Sequence, residues 1–172
     1  VSLYAIDSRA WEVITVQQAS GYSGIPSSYE PYLTNIVNTV ASHCPSAQLM
    51  WHMTWAYQGN STHSDFGKYD KDQETMYNAI VSTVQSAVFA HDEITGLIPC
   101  GTAVQNLRTS FIGDTITRDG YHMSYDIGRY LTALMWARSI THCDISSISY
   151  KPSGYTYGTE TVAAIKEAVD NA

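Results

Sequence analysis

Apolar positions along the chain alternate between two spacings, and the alternation predicts strands interleaved with helices. Trp11-Glu-Val-Ile-Thr-Val16 is a short β-branched run suited to a buried parallel strand. A loop follows from Pro26. Leu33, Ile36, Val37 and Val40 then recur at helical spacing until Pro45 ends the pattern. Gln48-Leu-Met-Trp-His-Met53 reads as a second strand, and the Gly, Ser, Asn and His of residues 56–69 as a long functional loop. Met76, Ile80, Val84 and Val88 mark one face of a helix running from Asp72, its N-cap, to about His91. A brief strand at Gly96-Leu-Ile-Pro99 precedes a short helix from Gly101 to Arg108. A loop over 111–122, a helix over 124–141, an irregular Ser/Tyr/Gly-rich tail and a last surface helix over 160–169 complete the order. Strands alternating with helices predict a three-layer α/β/α sandwich on a parallel sheet, with ligands at the carboxyl ends of the strands.

Length and composition narrow this picture. The 172 residues fit one domain, and at this size roughly 70% of the unfolded surface is buried. Hydrophobic residues make up 44% and charged residues 15%, as a folded globule requires. No apolar run reaches the ~20 residues that span a bilayer, so no membrane role is expected. The formal net charge is −7, and no cluster of Lys and Arg offers a stripe for phosphate backbones. Nucleic acid is therefore not expected as a partner. Thirteen tyrosines and four tryptophans fit either a sugar-binding cleft or a core and loops that use Tyr freely. Cys44, Cys100 and Cys143 allow one disulfide with one thiol, or three thiols. The compartment stays open, with a secreted or periplasmic setting favoured.

The chemistry concentrates at Arg118-Asp-Gly-Tyr-His-Met-Ser124. An Asp three residues before a His can fold back to accept the proton of one ring nitrogen, leaving the other to take a proton from a hydroxyl. Gly120 relieves the backbone where that loop turns. His52, closing the second strand, is either a substrate contact or a hydrogen-bonded core residue. Trp51 and Trp55 are candidates to wall a cleft. His52, His63, Asp65 and His122 could alternatively form a metal site, although no metal or other cofactor is expected. Arg108 and Arg129 suggest structural ion pairs, and Asp114 and Asp126 turn or helix caps.

The Asp119-Gly-Tyr-His122 spacing, late in an α/β chain, resembles the last signature block of the SGNH/GDSL hydrolase superfamily. Trp11 to Ser20, Trp51-His-Met-Thr-Trp-Ala-Tyr57, Pro99-Cys-Gly-Thr-Ala-Val-Gln-Asn106 and Gly128-Arg-Tyr130 extend the resemblance to a bacterial SGNH-like branch of unassigned function, over about residues 10–140. The resemblance implies a Ser-His-Asp esterase in which Asp119 orients and His122 serves as general base. The implied substrate is a small-molecule or glycan ester, with an O-acyl sugar favoured. The loop Gln17-Gln-Ala-Ser20 takes the place of the superfamily's oxyanion block, with Gln18 where Gly is usual and Ser20 where Asn is usual. No Gly-Asp-Ser nucleophile block is present. Gly113-Asp-Thr115 mimics it in the wrong place, and Gly21-Tyr-Ser23-Gly24 lacks the glycine of a nucleophile elbow. The chain starts at Val1 without an initiator Met or a signal-peptide pattern. The expectation is that the serine and a first strand lie on residues outside this chain. A rival expectation is a catalytically inactive sugar-binding module of the same fold.

Overall fold

A computed structural model describes residues 3–172. Its elements are α1 (Leu3–Ile6), β1 (Val13–Val16), α2 (Tyr32–His43), β2 (Gln48–His52), α3 (Gln73–Thr83), β3 (Ile94–Ile98), α4 (Cys100–Arg108), α5 (Ile127–Thr141) and α6 (Thr159–Asp170). The three strands form a parallel sheet in the order β1-β2-β3.

Strand side chains alternate between faces, and β2 shows what each face meets. Leu49, Trp51 and Met53 join α2, α3 and the 56–69 loop in one buried cluster with Leu33, Val37, Met76 and Ile80. Met50 joins Ile98 of β3 and Val104, Leu107, Leu131, Leu134 and Ile165 of α4, α5 and α6 in a second cluster on the other face. Two cores on the two faces of one parallel sheet make a three-layer α/β/α sandwich.

Three local departures from the pattern have physical causes. Strand β3 starts at Ile94, ahead of the expected Gly96, with a register shift between Leu49 and Met50. A Cβ on Gly96 would lie 2.8 Å from the Met50 side chain, so the absent side chain makes room for Met50. The α3 pattern breaks at Thr83 into a π-helical turn, Val84–Val88, closed by Phe89 N–H donating to Val84 C=O. Steps of four residues at 3.6 per turn drift by about 40° each. The slower-winding π turn corrects the drift and keeps Val84 and Val88 buried. Asp72 caps α3 by accepting from Thr75 N–H at 2.7 Å. Asp126 occupies the N-cap position of α5 without bonding through its side chain, and Ser124 Oγ accepts from Gly128 N–H instead.

Part of the tyrosine load lies in the core. The buried Tyr29, Tyr69 and Tyr130 donate their hydroxyls to the carbonyls of Ser23, Gly21 and Tyr150. No helix among the described residues is long and apolar enough to cross a membrane.

All three cysteines are free thiols, with Cys44 and Cys100 buried and Cys143 partly exposed. Burial pushes the Cys100 thiol up to about 12, so it offers almost no thiolate at neutral pH. Ellman's reagent is expected to find one fast-reacting thiol, Cys143, in the native protein and three after denaturation. Three fast thiols under native conditions would contradict this packing.

Candidate functional site

The site forms where two loops meet beyond the carboxyl ends of β2 and β3. Helix α4 begins directly against the chain leaving β2: Gly101 N–H donates to Met53 C=O at 3.1 Å. A Cβ at Gly101 would fall 2.2 Å from the Thr54 carbonyl oxygen, a place only glycine can occupy. Residues 116–124 fold as a tight hairpin, with Arg118 N–H on His122 C=O and Ser124 N–H on Ile116 C=O, both at 2.9 Å. At its tip Gly120 takes φ +90°, and a Cβ there would also approach Ser61 to about 3 Å.

Asp119 and His122 face each other across this tip. Asp119 Oδ1 accepts from the His122 backbone N–H at 2.8 Å, and Oδ2 lies 2.7 Å from His122 Nδ1. The carboxyl is held down at about 2, below its ordinary 3.8, chiefly by the His122 side-chain bond and further by the backbone N–H groups of His122 and Tyr121. An ionised carboxylate only accepts, so Nδ1 carries a proton, and in the neutral ring the lone pair lies on Nε2. The His122 side chain is half exposed, at 50%.

A carboxyl whose pKa is lowered by folding lends stability above its unfolded value and loses it as pH falls toward the folded value. That contribution is therefore complete above about pH 4 and lost on the way to about pH 2. Carbon-13 NMR titration is expected to find the Asp119 midpoint near 2, moving up toward 3.8 in His122→Ala. A wild-type midpoint already at 3.8 would show that the contact does not persist in solution.

The loop after β2 straps the hairpin in place. Gln58 N–H donates to Gly120 C=O at 2.8 Å, and Thr117 Oγ1 donates to Gln58 Oε1. The Trp55 indole N–H donates to Tyr121 C=O at 2.7 Å. The Tyr121 ring sits among Tyr57, His63 and His122, with centroids 5.6, 4.5 and 4.0 Å away. Behind the strap lies an ion pair, Arg108 Nε to Asp114 Oδ1 at 2.8 Å. The other Asp114 oxygen accepts from Gly59 N–H and Gln73 Nε2 at 2.8 and 2.9 Å, and Arg108 also donates to Ala56 C=O.

The remaining candidates are placed as follows. His52 is 7% exposed and accepts from Trp136 Nε1 at 2.8 Å, and burial lowers its pKa to about 4, so it stays neutral inside the fold. Trp51 is 4% exposed and tilted against Tyr29 in the core, so it walls no cleft. Trp55 reaches the site through its bond to the hairpin. Gln18 Nε2 donates to the Ser28 carbonyl and hydroxyl. Ser20 Oγ shares a 3.0 Å bond with Tyr57 OH. Ser23 is buried and bonded to Thr54 Oγ1. His63 Nδ1 accepts from Asp65 N–H. Among the described residues, no three His, Cys, Asp or Glu side chains converge as metal ligands. Gln58, Tyr57 and Tyr121 were not singled out from the sequence. The tyrosine between Gly120 and His122 and the length of the 56–69 loop were their only signals.

Comparison with known proteins fits this architecture. The family model DUF4886, a domain of unknown function, matches residues 2–172. The crystal structure of a DUF4886 family protein from Bacteroides uniformis shares 40% identity and superposes with a TM-score of 0.92, covering 98% of this chain and 64% of its own. The present chain thus spans 64% of that relative's length. A protein from Slackia heliotrinireducens, provisionally named an SGNH hydrolase, shares the fold at a TM-score of 0.55 and 19% identity, over 80% of this chain and 70% of its own. No curated protein matches.

Proposed function

The chain belongs to the DUF4886 family, and on that premise we propose that it is an ester hydrolase of the Ser-His-Asp type, acting on O-acyl groups of a carbohydrate. One observation carries the reading: a half-exposed imidazole bonded at 2.7 Å through Nδ1 to an ionised carboxylate three residues earlier. Asp119 fixes the tautomer and stabilises the imidazolium that forms when Nε2 takes a proton. His122 removes the proton of an attacking hydroxyl, then returns it to the leaving alcohol as the acyl-enzyme forms. Water attacks the acyl-enzyme with the same histidine as base, and the histidine then passes that proton to the serine oxygen as the acid is released. The hydroxyl nucleophile is proposed to come from a serine outside residues 1–172, because residues 1–172 hold no Gly-Asp-Ser block and Ser23 is buried against Thr54.

Of the oxyanion candidates, Ser20 is favoured. Its partner is another hydroxyl, so either oxygen can donate outward, whereas the Gln18 amide is held by Ser28. A carbohydrate is favoured by a cleft of about 290 Å³ at Asp119 and Gly120 whose walls carry amides and hydroxyls. The test is release of acetate from acetylated oligosaccharides by the full-length protein, with fluorophosphonate labelling to locate the serine. Binding of the sugar without acetate release or labelling would favour the binding module instead.

A further inference from the structure

The surface beside Asp119 and His122 carries positive charge in a chain with nine basic and sixteen acidic residues. Arg118 and Arg129 both lie over the ring of Tyr125, their guanidinium carbons 4.7 and 4.4 Å from its centroid. Tyr125 is 55% exposed, and both arginines are exposed. Arg118 precedes Asp119 on the hairpin, Arg129 stands in the first turn of α5, and Tyr125 lies on the link between them.

Arg129 is unpaired among the described residues, and Arg118 is paired only at long range. Among the described residues, no carboxylate lies within ion-pair distance of Arg129. Arg118 has only Asp119 nearby, with its Nε 3.8 Å from an oxygen that His122 already holds at 2.7 Å. A tyrosine face steadies a guanidinium in one plane while its N–H edge stays free to donate. Such an edge matches a carboxylate or sulfate with two parallel hydrogen bonds.

Arg118 also helps wall the cleft at Asp119 and Gly120, with Gln58, Asn60, Ser61, Thr62 and Thr117. At about 290 Å³ the cleft falls just below the ~300–1,000 Å³ range of small-molecule sites, the size of a single sugar subsite. Asn60 and Thr62 are exposed. This lining offers an apolar acyl chain little and a hydroxyl-rich ring a great deal.

We propose that the cleft and the Arg118–Tyr125–Arg129 cluster form a subsite for an anionic sugar, carboxylated or sulfated, on the alcohol side of the ester. The assignment rests on the hydrolase reading and narrows it to esters of acidic glycans. Its test reads binding and needs no turnover, so loss of ester hydrolysis and loss of anion recognition appear in separate experiments. The protein is titrated calorimetrically with a galacturonate trimer, a sulfated galactose trimer and a neutral galactose trimer, at about 20 mM and about 500 mM salt. At low salt at least one anionic trimer is expected to bind about tenfold more tightly than the neutral one, a margin that two charge-assisted contacts can supply. Which anionic trimer wins tells carboxylate from sulfate. The margin is expected to shrink toward unity at high salt, and to about threefold or less in Arg118→Gln/Arg129→Gln. Equal affinity for charged and neutral trimers in the wild type, or no binding of any trimer, overturns the proposal without reference to a variant. So does a preference that survives in the folded double variant.

Discussion

Replacing His122 by alanine is expected to lower kcat/KM for an acetylated sugar by roughly 10³–10⁴-fold in the full-length protein. At this site the imidazole is the group whose lone pair a carboxylate orients, and without it a serine hydroxyl keeps its proton at neutral pH. The ring is half exposed, so its loss leaves no cavity and the melting temperature should change little. Asp119→Asn sharpens the test. An amide in place of Oδ2 can donate to Nδ1, which turns the ring to the tautomer whose proton sits on Nε2, where a lone pair is needed. A comparable loss is expected, although the side chain keeps its size. Activity of His122→Ala within tenfold of wild type would exclude the histidine as the base.

The largest effect on stability is expected at Asp114→Ala, at about 3 kcal/mol. Arg108 is 3% exposed through its side chain, and burial pulls its guanidinium toward the neutral form while Asp114 opposes this. Removing the carboxylate strands a buried positive charge and leaves the Gly59 N–H without its acceptor, while the Gln73 amide keeps only the Tyr57 carbonyl. A domain of this size should then melt roughly 6–12 °C lower. Urea unfolding with a shifted midpoint and an unchanged slope would locate the change in the folded state. Arg108→Met/Asp114→Leu removes both charges together and is expected to regain part of the loss. An unchanged urea midpoint in Asp114→Ala would mean that water or another group already compensates Arg108.

The sheet and the helices were legible because each buries one face, and burial imprints its period on the sequence. Leu49, Met50 and Trp51 alternate between two cores, and Leu33, Val37 and Val40 return to one side of α2. The pairing of Asp119 with His122 was legible for a related reason: its partners stand three positions apart, so local geometry suffices. The strap was not. Trp55 meets Tyr121 across 66 positions and Gln58 meets Thr117 across 59, and no spacing rule spans such gaps. Trp51 and Trp55, four residues apart, looked equivalent; one enters the core and the other steadies the hairpin. Arg108 and Asp114 each suggested a minor local contact, and only the fold shows that they form one buried pair.

The strap also bears on how such a site could be moved or inherited. The hairpin carries its acid and base complete, yet its orientation is borrowed from a segment nearly sixty positions earlier. Grafting 116–124 alone onto another α/β scaffold would transplant a working dyad with no fixed aim. The transferable unit is the two segments together, with the glycines at 101 and 120 that let their backbones touch.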